Sequence, residues 1–92
     1  MITNAAWITV DPKRVINALQ QEAVEKVNGG ESQVILDFSS VLRIDADAVR
    51  AMEELAALAD SKKVEVVLRA VNVDIYRVLK LLRLTQRFCF LT

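Results

Sequence analysis

Four short runs of β-branched, aromatic and aliphatic residues alternate along the chain with three longer stretches whose apolar positions recur every three or four residues. Few architectures accommodate that alternation. Residues 5–10, Ala-Ala-Trp-Ile-Thr-Val, read as a first strand, with Trp7, Ile8 and Val10 suited to a pleated, mostly buried surface. Asp11-Pro12 predicts a helix start, because aspartate caps well and a proline in the first turn forfeits no hydrogen bond. The helix is expected over residues 12–28, with Val15, Leu19, Ala23 and Val27 at i+4 spacing and Ile16 widening the stripe. Gly29-Gly30 ends it, since glycine accepts the left-handed conformation that closes many helices.

A second strand follows at 33–38 and a second helix at 47–61. In that helix Val49, Met52, Ala56 and Ala59 share a face broadened by Leu55, while Arg50, Glu53 and Glu54 point outward. Lys62-Lys63 at its end suits the negative pole of the helix dipole. Residues 64–69 form the third strand, and 73–84 a third helix with Ile75, Val78, Leu79 and Leu82 on one stripe. Residues 87–91 read as a last strand. The order β-α-β-α-β-α-β predicts an α/β fold: a mostly parallel four-stranded sheet with right-handed crossovers, flanked by helices. No repeat, linker or low-complexity stretch interrupts the 92 residues, so residues 1–92 are expected to form a single small domain.

A content of 53% hydrophobic and 26% charged residues suits a packed chain rather than a disordered one. Histidine is absent and Cys89 is the one cysteine, which excludes an internal disulfide and a cysteine–histidine metal cluster. A reducing, cytoplasmic setting is expected on that basis. Cys89 lies between Phe88 and Phe90, and a core position is predicted for it. Formal charge is zero, but residues 1–60 carry five basic and ten acidic side chains, and residues 61–92 seven basic and two acidic. The resulting −5/+5 asymmetry favours solubility and partner orientation. Nucleic-acid binding is not expected, because no Gly-rich or aromatic-interleaved pattern accompanies the basic half. Arg77, Lys80, Arg83 and Arg87 either form a basic stripe for an acidic partner or a solvated helix face. Met1-Ile2-Thr3-Asn4 lacks the basic start of a signal peptide, and no apolar run approaches the ~20 residues of a membrane span.

Function is expected where the second strand gives way to the second helix. Val34-Ile35-Leu36 reads as buried strand; Asp37, Ser39 and Ser40 are polar; Val41, Leu42 and Ile44 return to apolar; Asp45-Ala46-Asp47 opens an alanine-rich helix. The carboxyl ends of strands are where open α/β sheets usually meet ligands and partners. Asp37, Asp45 and Asp47 are hard oxygen donors of the kind a magnesium ion takes. A receiver-like pocket, however, needs acids after the first strand, where this chain has Val10-Asp11 and a proline, and it needs a lysine that is missing here. Paired carboxylates also serve acid–base catalysis, but no histidine, Gly-rich loop or activated nucleophile joins them. No enzyme activity, metal or cofactor is expected. Ser39 and Ser40 read either as turn-stabilising serines or as phosphoacceptors.

The run Asp37-Phe38-Ser39-Ser40-Val41-Leu42-Arg43-Ile44-Asp45-Ala46-Asp47-Ala48 resembles the signature of STAS domains, the family of sulfate transporters and anti-sigma factor antagonists. There a strand ending Asp-Leu-Ser leads through apolar positions to Asp-Ser-Ser-Gly or Asp-Thr-Gly-Gly at a helix start. The likeness continues through residues 64–70 and Leu79-Lys80-Leu81-Leu82-Arg83-Leu84, and it covers residues 30–85 well. It implies a bacterial protein-interaction domain concerned with regulation of transcription, binding an anti-sigma factor or kinase-like regulator. The alternative it implies is a small STAS subunit docked on the ATPase of a phospholipid-type ABC transport complex. The partner surface it implies includes Ser39, Ser40, Arg43, Asp45, Asp47 and Arg50.

Three departures qualify the likeness. The family's additional N-terminal strand and C-terminal helix find no counterpart in the sequence. Asp47 occupies the position of the family's phosphoacceptor hydroxyl, with Ala46 and Ala48 beside it, so serine phosphorylation at that position is ruled out. Asp47 then reads either as a partial mimic of a phosphorylated residue, with one negative charge against about −1.5 to −2 for phosphoserine, or as an ordinary cap or first-turn acid. A homodimer is expected through the edge of the first strand or through an uncovered Phe88-Phe90-Leu91 segment, unless those phenylalanines fold beneath the third helix.

Overall fold

The computed structural model describes residues 5–91. Four strands, β1 (Ala5–Thr9), β2 (Gln33–Asp37), β3 (Glu65–Arg69) and β4 (Cys89–Leu91), form one sheet in the order β1-β2-β3-β4. Every neighbouring pair is parallel. Helix α1 occupies residues 15–28, α2 runs Ala46–Lys62 and α3 runs Val73–Leu81. A sheet laid down in sequence order by right-handed crossovers carries all its helices on one face. Burial agrees with that arrangement. Ala6, Ile8, Val34, Leu36, Val66 and Leu68 point toward the helices and are buried, and there they meet Leu19, Met52, Leu55, Ile75 and Leu79.

The opposite face has no second layer among the described residues, and side chains across it supply a thin cover. Trp7, Ile35, Val67 and Cys89 form one row in register, and Gln33 with Glu65, and Asp37 with Arg69, the rows on either side. The Arg69 guanidinium stands 5.4 Å from the centroid of the Trp7 ring and 3.4 Å from Asp37 Oδ2. Gln33 Nε2 donates to Glu65 Oε1 at 2.6 Å, and the Cys89 thiol donates to Glu65 Oε2 at 2.9 Å. Beneath this cover Val67 is buried, while Trp7 remains 54% exposed.

Several boundaries differ from the sequence expectation for local reasons. Helix α1 begins at Val15 rather than Pro12. Asp11 accepts the Lys13 N–H on its side chain and the Arg14 N–H on its carbonyl, which makes a separate turn before the helix. Residues Ala18–Glu22 form a π-helical turn. Ala18, Leu19 and Ala23 face inward from this turn and the residue after it. Gly30 has φ +88, the conformation for which glycine is favoured. Helix α3 ends at Leu81 instead of Leu84, because Leu82 and Arg83 turn the chain, Arg83 at φ 61. The last strand starts at Cys89, not Arg87: the Arg87 N–H still belongs to a turn on Leu84, and its side chain bridges to Asp60 at 2.8 Å, outside any basic stripe.

One expectation about the C-terminal segment is overturned. Cys89 is exposed on the open sheet face rather than in the core, because strand alternation sends Phe88 inward and Cys89 outward. In the segment named for a homodimer, Phe88 is buried and Phe90 half-buried, edge-on to Tyr76 at 5.3 Å, while Leu91 remains exposed.

A core on one face predicts unequal costs for truncation along β2. Leu36→Ala on the helix side should cost about 2–5 kcal/mol and Ile35→Ala on the open side less than about 2 kcal/mol by urea unfolding. Equal losses would mean that the open face holds as much of the core as the covered one.

Candidate functional site

The helix side of the sheet positions the stretch after β2. The Phe38 N–H donates to the Arg69 carbonyl and the Val10 N–H to the Asp37 carbonyl, so the sheet ladder continues one residue past the strands and pins the loop's base. Phe38 is fully buried and its carbonyl accepts the Val41 N–H at 2.9 Å, closing a turn over Ser39 and Ser40. Val41 returns to the core. With Phe38 and Val41 both inward, Ser39, Ser40, Leu42 and Arg43 are left outside. Leu42 is 75% exposed, an apolar side chain held in solvent between two anchored positions. The Leu42 carbonyl accepts a hydrogen bond from Asn72 Nδ2 at 2.8 Å, which ties this loop to the start of α3.

Asp37 is the one buried charged residue among the described residues. The Ser39 N–H, 2.9 Å from Oδ1, holds its carboxyl below the ordinary value against the opposing effect of burial; the Ser39 hydroxyl and the Arg69 guanidinium lower it further. This carboxylate shapes the turn and neutralises Arg69, and it faces the open side of the sheet rather than the helix start.

Asp45 is the N-cap of α2: its backbone is extended and its Oδ1 accepts the Ala48 N–H at 2.8 Å. Asp47 lies in the first turn, exposed, where the helix dipole favours a negative charge by about 0.3–1 kcal/mol. The two acids therefore have different work, one fixing the helix start and the other presenting charge beside it. Arg50 follows one turn later, also exposed. Ser39, Ser40, Arg43, Asp45, Asp47 and Arg50 thus stand along one continuous loop and helix start, all exposed.

Sequence reasoning missed two contributors. Leu42 reads in sequence only as part of an apolar return with Val41 and Ile44, and the turn at 38–41 and the Asn72 bridge leave it outside. A cleft of about 350 Å³ also lies between this loop and the start of α1, with Lys13, Arg14, Val15, Arg43, Ile44 and Ala48 among its walls. Lys13 and Arg14 come from a turn far away in sequence, and parallel pairing of β1 with β2 brings them alongside. The exposed Asp11-Pro12 turn was the local signal that could have placed them at the same end of the sheet. The surface has the makings of a docking site, with an apolar knob, cations beside it and an acidic helix start, and it shows no nucleophile paired with a base.

Comparison with known proteins agrees with the fold. A family profile described as Mlab, STAS domain matches residues 12–92. Among solved structures, the NMR structure of the protein TM1081 is similar with a TM-score of 0.76 at 17% identity, covering 99% of this chain and 76% of that one. A crystal structure of the same-named protein from Thermotoga maritima, a proposed anti-sigma factor antagonist, is similar with a TM-score of 0.71 at 18% identity, covering 98% of this chain and 74% of that one. No curated protein matches the chain at a significant level.

Two measurements test the electrostatics. Asp37 has a depressed pKa, so its stabilisation is present above the unfolded value near ~3.9 and fades as pH falls through the lower folded value. Asp37→Ala should therefore lose about 1–3 kcal/mol at pH 7 and converge on the parent protein in strong acid; a pH-independent gap would remove the charge from the account. The Cys89 thiol is pushed up by its hydrogen bond to Glu65, then by burial and by the carboxylate's charge. Alkylation by iodoacetamide at pH 8 should be several-fold slower than in Glu65→Gln, and equal rates would show that Glu65 does not govern the thiol.

Proposed function

Because the chain belongs to the Mlab, STAS domain family, we propose that it acts by binding rather than catalysis, as a regulatory domain whose protein partner docks on residues 39–50. The observation that carries this reading is Leu42: a side chain 75% exposed, anchored on both sides and set between the Ser39-Ser40 turn and the capped start of α2. Interfaces are built from such apolar anchors ringed by polar and arginine side chains, and Ser39, Ser40, Arg43, Asp45, Asp47 and Arg50 make the ring. The partner class that the fold likeness favours is a kinase-like anti-sigma regulator in the cytoplasm. A second reading is a permanent subunit on the ATPase of a phospholipid-type ABC transport complex. It is favoured by Asp47 itself, because a position that takes no phosphate suits an interaction that is not switched there.

Purification from cells with tagged protein separates the readings by what accompanies it: a kinase-fold regulator supports the first, an ABC ATPase the second. Leu42→Asp should abolish either association, since it places a charge where the apolar anchor must be desolvated. Undiminished recovery of the same partner by Leu42→Asp would remove residues 39–50 as the docking surface. Incubation with an anti-sigma kinase should leave residues 45–50 unmodified by mass spectrometry, and phosphate on Ser39 or Ser40 would relocate the switch. If Asp47 locks one binding state, Asp47→Ser should shift partner affinity by more than Glu53→Ser on the outward face of α2. Equal shifts would reduce Asp47 to a first-turn acid.

A further inference from the structure

Helix α3 carries a second exposed surface that the residue 39–50 site does not use. Ile75 and Leu79 supply its buried contacts, yet Leu81 is 83% exposed and the adjoining Leu82 49%. Single exposed leucines are common. Here, however, Leu81 forms part of a groove of about 450 Å³ whose other walls are Arg77, Lys80 and Arg83. Arg77 precedes Lys80 by three residues and Leu81 by four, so all three share a helix face. Arg83 is brought to the same place by a left-handed backbone, φ 61, at a helix end where glycine is the usual occupant.

Among the described residues these cations have no ion-pair partner. Among the described residues the ion pairs are Arg69 with Asp37 and Arg87 with Asp60, and neither involves Arg77, Lys80 or Arg83. Asp74, in the first turn of α3, lies three residues before Arg77 and six before Lys80, yet no ion pair or hydrogen bond joins it to either among the described residues. The result is an apolar groove ringed by three unpaired positive charges on a short helix.

We infer that this groove docks an acidic amphipathic helix of a partner protein, with an apolar side chain seated against Leu81 and carboxylates meeting Arg77, Lys80 and Arg83. Charge complementarity selects the acidic partner, and the groove's shape selects a protein segment. A lipid surface calls for a broad apolar face lying flat in the interface, whereas here a single leucine borders a recess otherwise walled by cations. Single-stranded nucleic acid calls for aromatic stacking platforms, and leucine offers none. A second copy offers no counterpart in which exposed acids flank an exposed leucine on one helix face as the groove requires, since Leu55 of the acidic helix α2 is buried. The surface is separate from residues 39–50, so each can be disabled without the other.

The test uses a synthetic fifteen-residue helical peptide with Glu and Leu at i, i+3 and i+4 positions, titrated into the isotopically labelled full chain and followed by NMR. Amide shifts should concentrate at residues 77–84. Leu81→Ser and the double change Arg77→Glu, Arg83→Glu should each weaken binding more than tenfold, with Lys80→Glu weakening it less. Leu42→Asp should leave binding unchanged, and circular dichroism should show every variant folded. A peptide with Gln for each Glu should bind at least tenfold more weakly. Equal binding of the Gln peptide, or shifts centred away from α3, would overturn the inference. So would tighter, Leu81-dependent binding to phosphatidylglycerol vesicles than to the peptide, or Leu81-dependent self-association by sedimentation without peptide.

Discussion

Winding a parallel sheet strictly in sequence order forces every crossover helix onto the same side, and the rest of this structure answers to that constraint. Parallel sheets are normally buried on both faces, and here only one face receives helices. The open face must then be protected by its own side chains. It is, through a set of contacts that run across strands: Arg69 over Trp7 and against Asp37, and Glu65 between Gln33 and Cys89. Each polar group on this face has a partner, so the face is tolerable in water without being strongly apolar. The same contacts explain why Asp37 can be buried and charged, and why an exposed cysteine is held as a thiol.

Much of this was legible in the sequence. The four strands were readable from Val, Ile and aromatic runs, and α2 from its alanines and the Asp45 cap, because each of these signals is local and unopposed. The errors arose where a long-range contact or a competing local bond decided the outcome. Asp11 was expected to cap a helix, but its side chain and carbonyl both engaged a preceding turn. Cys89 was placed inside on the strength of its neighbours, when strand alternation puts a residue between two inward phenylalanines on the opposite face. The candidate site was expected at the end of the second strand. Its exposed leucine and the cations of the first turn became visible only when parallel pairing set two distant segments side by side.

The chemistry of the helix start divides between two acids. Asp45 is bound into the helix by the Ala48 N–H and is thereby structural, while Asp47 stands free beside it. A hydroxyl at the second position would be open to phosphorylation, and Asp47 offers a carboxylate there instead.

Asn72 gives the docking loop a mechanical neighbour. Its Oδ1 receives the Ile75 N–H and starts α3, and its Nδ2 holds the Leu42 carbonyl, so one amide clamps two segments thirty residues apart. Displacing the loop would break the Leu42 bond and, if the amide followed, uncap a short helix whose first turn depends on it. A partner that tightened the loop would therefore make the first turn of α3 harder to fray, an ordering effect at the helix start and away from the groove at residues 77–83.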